Sequence, residues 1–233
     1  MPFDPTLLEK LAAVDTPTIC NALEIVAPER RGHGYTTRPL VCAWPAMKPI
    51  VGFARTGTIR AKHPPARSGA ALRDVRLAYY AYVTAKPGEP TITVLQDLDP
   101  EPGYGAFWGE VNTAVHKGLG CLGCITNGSI RDLDAIAPEF QLLAGVVGPS
   151  HAYVHVEQFD IEVNVHGMQV RPGDLIHADR HGAVVIPIGV ADKVPAAIDL
   201  CTRKEAPILK AARGPGFSVE KLVAAMGEAD DIH

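Results

Sequence analysis

The 233-residue chain lacks several features that would assign it to a class at once. It has no dense basic run, and its 22 Lys and Arg are fewer than its 26 Asp and Glu, so a nucleic-acid-binding protein is disfavoured. It has no apolar run of about 18 residues, the length that a transmembrane helix needs. Its first residues lack the basic-then-apolar pattern of a secretory signal. These absences predict a soluble, cytoplasmic protein that binds neither nucleic acid nor membrane.

The five cysteines show no regular spacing and are scattered along the chain. An odd number without regular spacing argues against a disulfide framework. Cys121 and Cys124 form a C-x-x-C pair, but a zinc site would need a second pair and a redox site would need a helix N-terminus beneath the cysteines. We therefore expect both to act as small apolar residues of a buried strand.

The composition favours one folded domain of mixed structure. Hydrophobic residues make up 47% of the chain, the net charge is only -4, and 22 Gly and 20 Pro separate short elements. Helices are expected at about 16–26, 70–84 and 109–117, with Thr16 as an N-cap, and strands alternate with them. A helical tail from about 190 to 233 is expected to break near Pro207 and at 214–216. The pattern predicts an α/β or α+β domain over 1–233.

One glycine motif needs its context before it can be interpreted. Residues 118–123 read Gly-Leu-Gly-Cys-Leu-Gly, which matches the dinucleotide-binding G-x-G-x-x-G. That fingerprint requires a strand before it and a helix after it, whereas here a helix precedes and a strand follows. The sequence therefore predicts a tight helix-to-strand connection and no Rossmann site.

Two histidine pairs have a four-residue spacing: His151 with His155, and His177 with His181. Such a spacing can place two metal ligands on one face of an element. The flanking Pro, Ser and Gly residues place these histidines at loop edges, and we expect ordinary hydrogen-bonded side chains. His181, with its neighbour Asp179, is kept as a secondary site candidate.

The segment from 107 to 134 carries the strongest functional signal. Gly109 to Asn112 would form the first turn of a helix, whose free amides suit a carboxylate or phosphate. Arg131 and Asp132 follow a predicted buried strand at Cys121–Thr126 and an Asn-Gly turn, at the strand end where α/β sheets usually bind ligands. A carboxylate, an arginine and free amides suit a small oxygen-rich anion on Mg²⁺ or Mn²⁺. The alternative is an Arg–Asp pair that merely caps a helix.

These residues resemble the signature of the RraA-like family. Gly109-Glu110, twenty residues and then Arg131-Asp132 carry the likeness, which extends from about Thr16 to Pro187. The family includes the regulator of ribonuclease activity A and the class II 4-hydroxy-4-methyl-2-oxoglutarate/4-carboxy-4-hydroxy-2-oxoadipate aldolases. Many members carry a "dimethylmenaquinone methyltransferase" label. No glycine-rich loop after a strand supports a methyltransferase here.

The resemblance implies a fold, an assembly and a set of roles. The fold is a three-layer α/β (β/β/α swivelling-type) single domain, assembled as a homotrimer or homohexamer. Asp132 would be the metal ligand, and Arg131 would bind the keto oxygen of a small 2-oxo acid. The backbone of Gly109, Glu110, Val111 and Asn112 would hold the substrate carboxylate, and Glu110 would act on a metal-bound water.

The implied activity is that of a metal-dependent carbon–carbon lyase. It would cleave a 4-hydroxy-2-oxo acid to pyruvate and a second carbonyl compound, and would decarboxylate oxaloacetate through the same pyruvate enolate. Asn21, Asn112 and Arg180-His181 depart from residues common in the family and leave the substrate open. The alternatives are a non-catalytic regulator that binds a ribonuclease, and a different lyase or hydrolase on the same metal site.

Overall fold

The computed structural model of the chain describes residues 4–87 and 89–233. Met1 to Phe3, on which the expectation about a secretory signal partly rests, lie outside the described residues. The helices are α1 (Pro5–Leu11), α2 (Thr16–Val26), α3 (Gly69–Val83), α4 (Glu110–Gly118), α5 (Val194–Ala212) and α6 (Val219–Asp230). The strands are β1 (Val41–Cys42), β2 (Ile50–Arg60), β3 (Thr91–Asp97), β4 (Ala106–Trp108), β5 (Cys121–Thr126), β6 (Ser129–Ile130), β7 (Gln141–Ala144), β8 (Val146–Val147), β9 (His155–Phe159), β10 (Val163–Val165), β11 (Met168–Val170), β12 (Leu175–Asp179) and β13 (Gly182–Ile186).

A mixed sheet forms the centre of the molecule. Its strand order is β1-β7-β5-β3-β2-β12-β13, and β9 pairs with the second half of β2. The strands β2, β3, β5 and β7 run parallel, because α3 and α4 return the chain across one face. A second sheet, β4-β6-β8, is small and all parallel. The mixed α/β single domain expected from the sequence is confirmed.

Three hydrophobic clusters hold the layers together. One lies between the central sheet and the helices α3 and α4, and contains Tyr79, Trp108 and Phe140. A second lies between the sheet and the β10–β11 hairpin. The third packs α1, α2 and α5 against β12 and β13, so α5 in the C-terminal tail shares a core with the start of the chain. Burial of these apolar faces is the main stabilising contribution to the fold.

Two helix predictions need correction. The N-cap of α2 is Asp15, whose carboxylate accepts a hydrogen bond from Thr18 N at 3.0 Å, and Thr16 is already helical. The break expected near Pro207 is absent from α5, which continues from Val194 to Ala212. A proline removes one backbone donor and strains the preceding turn, but α5 packs against α2 and α6, and this packing favours a continuous helix.

The glycine and cysteine motifs have the predicted structural roles. Residues 118–123 connect the end of α4 to β5, and Gly120 has φ +87° there, with Ala85 only 2.7 Å from where a Cβ would lie. A bulge between β3 and β5 lets both Cys121 and Cys124 face the same cluster. Burial raises the pKa of both thiols. Neither cysteine is placed to react.

No helix among the described residues is long and apolar enough to span a bilayer.

Candidate active site

Two paired strands bring the separated site segments together. β4 and β6 run parallel with Trp108 opposite Ile130, and the Arg131 N–H donates to the Trp108 carbonyl at 2.9 Å. Gly109 follows one strand and Arg131-Asp132 follows the other, so both segments leave the same edge of the small sheet. The twenty residues between Glu110 and Arg131 contain the rest of α4 and all of β5 and β6.

Arg131 and Asp132 follow β5 and the Asn-Gly turn in the expected order, but a further short strand lies between the turn and Arg131. β5 ends at Thr126, and the chain enters β6 before it reaches Arg131. Asn127 is the cause, because its side-chain oxygen accepts from Asp97 N at 2.7 Å and its amide donates to Asp97 O at 3.0 Å. These bonds end the strand and turn the chain into the small sheet.

Asp132 has a left-handed backbone conformation, and one of its two carboxylate oxygens makes contacts within the protein. Its φ of 55° and ψ of 43° are left-handed, a conformation that Asp and Asn tolerate better than most residues. Oδ2 accepts from the Glu110 N–H at 3.3 Å and lies 3.5 Å from Arg131 Nε. The N-terminus of α4 therefore faces a negative charge, as its dipole favours. Within the described residues Oδ1 has no protein partner, and the side chain is 36% exposed.

Glycine is required at position 109 because there is no room for a side chain. A Cβ on Gly109 would lie 2.5 Å from Asp132 Oδ2 and 3.2 Å from Arg131 Cγ. Its φ of -163° is ordinary extended backbone, so the conformation itself does not demand glycine. The missing side chain lets the carboxylate approach the start of α4 closely.

In the first turn of α4, some polar groups make hydrogen bonds within the protein and others do not. The Glu110 amide bonds to Asp132, while the Val111 and Asn112 amides have no partner in the described part of the chain. The Asn112 side chain accepts from Tyr80 OH at 2.9 Å and donates to Phe107 O, so it ties α4 to α3 and β4. The Glu110 side chain is exposed and does not line the adjacent pocket.

A pocket of about 230 Å³ opens beside Asp132. The helix α3, the end of β4, the start of α4 and the loop before β9 form its walls. The lining residues are Leu72, Val75, Arg76, Tyr80, Ala106, Phe107, Gly109, Val111, Asn112, Arg131, Asp132, His151, Val154, His155 and Val156. Most of the wall is apolar, and Arg131, Asp132, Arg76 and the two histidines supply its charge and its titratable groups. This combination is typical of a small-molecule site.

Sequence reasoning missed the wall formed by α3 and the two histidines. His151 and His155 were expected to be ordinary hydrogen-bonded residues, and both do make hydrogen bonds, yet both also line the pocket. Their four-residue spacing was a visible signal, but only the pairing of β9 with β2 brings them beside Asp132.

Asp179 and His181 lie far from this pocket within one chain. His155 pairs with Arg60 at one end of β2, whereas Ala178 pairs with Ile50 at the other end. Ten residues of extended strand separate these points by about 30 Å. The structure therefore does not bring the secondary candidates to Arg131 and Asp132.

Asp179 instead anchors the start of α2. Burial opposes ionisation of its carboxyl, but hydrogen bonds from Thr16 and His181 outweigh burial and hold its pKa below the usual range. Its neighbour His177 is buried, with Nδ1 3.0 Å from Thr16 Oγ1 and Nε2 3.1 Å from the Leu11 carbonyl. Both side chains tie the first helices to β12.

Whether a divalent metal fits the pocket depends on the ligand atoms that the surrounding residues offer. No group of three or more His, Cys, Asp or Glu that could hold a metal occurs among the described residues. Mg²⁺ commonly takes one or two carboxylates and fills its remaining positions with water and substrate oxygens. The open Asp132 Oδ1 fits that kind of site.

The chain matches the model of a known protein family. The model for RraA-like proteins, described as Aldolase/RraA, matches residues 16–185. This match covers well over half of the chain, and the chain belongs to the RraA-like family. The helices α5 and α6 lie beyond the matched residues.

One relative that carries a functional name matches only part of the chain. A protein of Halalkalibacterium halodurans, provisionally named as a 4-hydroxy-4-methyl-2-oxoglutarate aldolase, is 31% identical over 91 residues. The match covers 38% of this chain and 43% of the relative. The chain thus aligns with less than half of that protein.

Solved structures share the fold at low sequence identity. An uncharacterized protein from Pseudomonas syringae pv. tomato has a TM-score of 0.70 at 20% identity, covering 96% of this chain and 95% of that one. Streptomyces coelicolor RraAS2, described as an unusual member of the RNase ES inhibitor RraA family, has a TM-score of 0.68 at 21% identity, covering 88% and 96%. These likenesses establish the fold alone.

Proposed function

We propose that the chain is a divalent-metal-dependent carbon–carbon lyase acting on small 2-oxo acids. It would cleave a 4-hydroxy-2-oxo acid to pyruvate and a second carbonyl compound, and would decarboxylate oxaloacetate. The observation that carries the proposal is the pairing of Asp132, with one free carboxylate oxygen, and Arg131 at the N-terminus of α4, where two further amides are free. The provisional aldolase name of the relative supports the same reaction class.

The chain's own residues suit the charge that develops in this reaction. Breaking the C3–C4 bond moves an electron pair toward C2 and places negative charge on the former keto oxygen. The Arg131 guanidinium, always charged and about one-third exposed in the pocket, would hold that oxygen. The free amides of Val111 and Asn112 would hold the neighbouring carboxylate.

Asp132 would hold the Mg²⁺ or Mn²⁺ ion. When bound, the ion supplies Lewis-acid polarisation of the keto and carboxylate oxygens. Glu110, whose side chain is exposed at the start of α4, would hold water for the reaction. Decarboxylation of oxaloacetate gives the same pyruvate enolate, so one site serves both reactions.

The proposal includes an assembly and a location. A homotrimer or homohexamer is supported by β8, an edge strand of the small sheet on which Val146 and Val147 are both exposed. A cytoplasmic location is supported by the five cysteines, all of which are free thiols.

The substitution Asp132→Asn tests the site directly. Asn tolerates the left-handed backbone and can still accept from the Glu110 amide, so folding should be preserved. We expect loss of Mn²⁺ binding in a calorimetric titration and a fall in oxaloacetate turnover of about 100-fold or more. Asp134→Asn, two residues away in the same exposed segment, is the matched control and should leave both unchanged. Full Mn²⁺ binding and turnover in Asp132→Asn would contradict the proposed site.

A further inference from the structure

His151 presents a free ring nitrogen on the wall of the pocket. It lines the same cavity as Arg131 and Asp132. Its Nδ1 lies 2.7 Å from the Ala152 carbonyl oxygen. A carbonyl oxygen can only accept, so Nδ1 carries the hydrogen and the neutral ring has its lone pair on Nε2. No further hydrogen bond of this ring occurs among the described residues, and Nε2 is therefore available to accept a proton.

The loop that carries His151 is held in a strained conformation. Ala152 has φ +45°, a left-handed backbone that costs an alanine about 1 kcal/mol or more. Ser150 Oγ accepts from the Ala152 N–H at 3.0 Å, and the His151 carbonyl accepts from Val154 N at 3.0 Å. These bonds fix both sides of the strained residue.

The same loop is pinned to the small sheet. The Ala106 N–H donates to the Ser150 carbonyl at 2.9 Å, which joins the loop to the start of β4. Gly105 makes a close approach possible, because a Cβ there would lie 2.5 Å from the His151 carbonyl oxygen. The histidine is thus fixed relative to the strand that leads into Gly109 and α4.

Other polar groups of the pocket are already committed. The second histidine, His155, has Nδ1 2.7 Å from the Tyr153 carbonyl and Nε2 2.8 Å from Glu157 Oε1, so both its nitrogens face acceptors. Tyr80 donates its hydroxyl hydrogen to Asn112. Arg131 has no lone pair to accept a proton. Among the described lining residues, His151 is the group best suited to move a proton.

We propose that His151 is the catalytic acid and base of this site, an assignment that rests on the lyase function proposed above. In cleavage, Nε2 takes the proton of the C4 hydroxyl while the C3–C4 electron pair moves to C2 and its oxygen. The C4 carbonyl then forms and the second product leaves. Nε2–H next returns that proton to C3 of the enolate, which gives pyruvate and restores the neutral ring. No other reactant is needed.

Two reactions of the same enolate separate proton transfer from enolate binding. Exchange of the pyruvate methyl hydrogens in D₂O requires a base to remove a C3 proton. Decarboxylation of oxaloacetate forms the enolate by loss of CO₂, with no proton to remove, and solvent can protonate the product. A base is therefore essential to the first reaction and dispensable in the second.

The test compares His151→Gln with wild type in both reactions. We expect pyruvate exchange, followed by proton NMR, to fall about 100-fold or more, while oxaloacetate kcat stays within about threefold. Added imidazole should restore exchange in His151→Ala. His33→Gln, an exposed histidine in the loop that leads to Tyr35 beside β13, is the matched control and should change neither rate.

The outcomes distinguish this assignment from the proposed function. Unchanged exchange in His151→Gln, or an equal fall in exchange and decarboxylation without imidazole rescue, overturns the role of His151 and leaves the lyase intact. A wild-type protein that performs neither reaction overturns the lyase and the histidine assignment together.

Discussion

His116 is a buried histidine that supports the site without lining it. Its Nδ1 lies 2.6 Å from the Asn112 carbonyl, and its Nε2 lies 2.9 Å from Tyr79 OH, which therefore donates to it. The rings of Phe107, Trp108 and Phe140 surround it at centroid distances of 4.5 to 6.4 Å. Burial lowers the pKa of His116 to about 4. The ring is therefore neutral in the folded protein at neutral pH. Its hydrogen bonds connect α4 to α3.

This pKa predicts an acid-dependent loss of stability. Below about pH 6.5 the unfolded chain binds a proton at His116 that the folded chain takes up only near pH 4. Stability therefore falls as the pH drops through this window, by about 3 kcal/mol from this group. Urea unfolding at pH 7 and pH 4.5 measures most of this loss, which should be clearly smaller in His116→Gln.

Comparing wild type with His116→Gln isolates the contribution of His116 to the pH dependence of stability. The lowered pKa of buried His177 acts in the same direction, and the raised pKa of Asp97 acts in the opposite one. Both groups are present in wild type and variant, so their contributions cancel in the difference. Equal losses of stability in the two proteins would rule out His116 as the source.

At the residue scale, the sequence pointed to some residues of the candidate site, and the structure adds others to it. The spacing of Gly109-Glu110 and Arg131-Asp132 indicated the two segments that the structure brings together. The free nitrogen of His151 could not be predicted, because its tautomer depends on a carbonyl that only the folded loop presents. The sequence likewise does not reveal that the backbone of Glu110 contacts Asp132 while its side chain is exposed.

At the scale of elements, the first turn of α4 is the central feature of the site. Its N-cap is glycine, and the carboxylate of Asp132 occupies the space where a side chain would be. Anchoring a charge at the helix start in this way also leaves two amides free for an anion. The site thus depends on the close contact of one helix end with one strand end.

The substitution Gly109→Ala should move Asp132 without unfolding the protein. The added Cβ would lie 2.5 Å from Oδ2, so the carboxylate must shift, while the extended backbone accepts alanine. We expect turnover to fall about 100-fold, since small displacements of catalytic groups have effects of this size. Steady-state kinetics and a thermal melt provide the two measurements.

Gly118→Ala is the matched control in the same helix. Nothing lies within 4 Å of a Cβ at Gly118, and alanine should stabilise the helix by up to about 1 kcal/mol. Its turnover should equal that of wild type. Equal activity of Gly109→Ala and Gly118→Ala would refute the close-contact explanation.

Element prediction succeeded where the local pattern was strong. The helices α3 and α4 and the strand β5 lie within a residue of their expected bounds, because each has a clear period or a clear stop signal. The strands β4 and β9 were missed, since β4 is three residues long and lies beside glycine-rich loops. Their pairing partners are distant in sequence, and no local pattern reveals them.

At the scale of the whole molecule, the strand order sets the position of the site. The sequence predicted mixed helices and strands but no second sheet. That small sheet, β4-β6-β8, places the carboxyl ends of two strands beside each other and under the wall formed by α3. The pairing depends on long-range contacts that a single sequence does not display. The family likeness indicated the fold class, and the topology explains why its signature residues meet.

The most direct test of the lyase is pyruvate release from oxaloacetate with Mg²⁺ or Mn²⁺, repeated after EDTA. Free metal alone decarboxylates oxaloacetate slowly, so a protein-free sample and the folded Asp132→Asn variant are the controls. We predict release well above both controls that stops with EDTA and returns with added metal. Release no faster than the controls with either metal, from protein shown to be folded by circular dichroism, would contradict the proposed metal-dependent lyase.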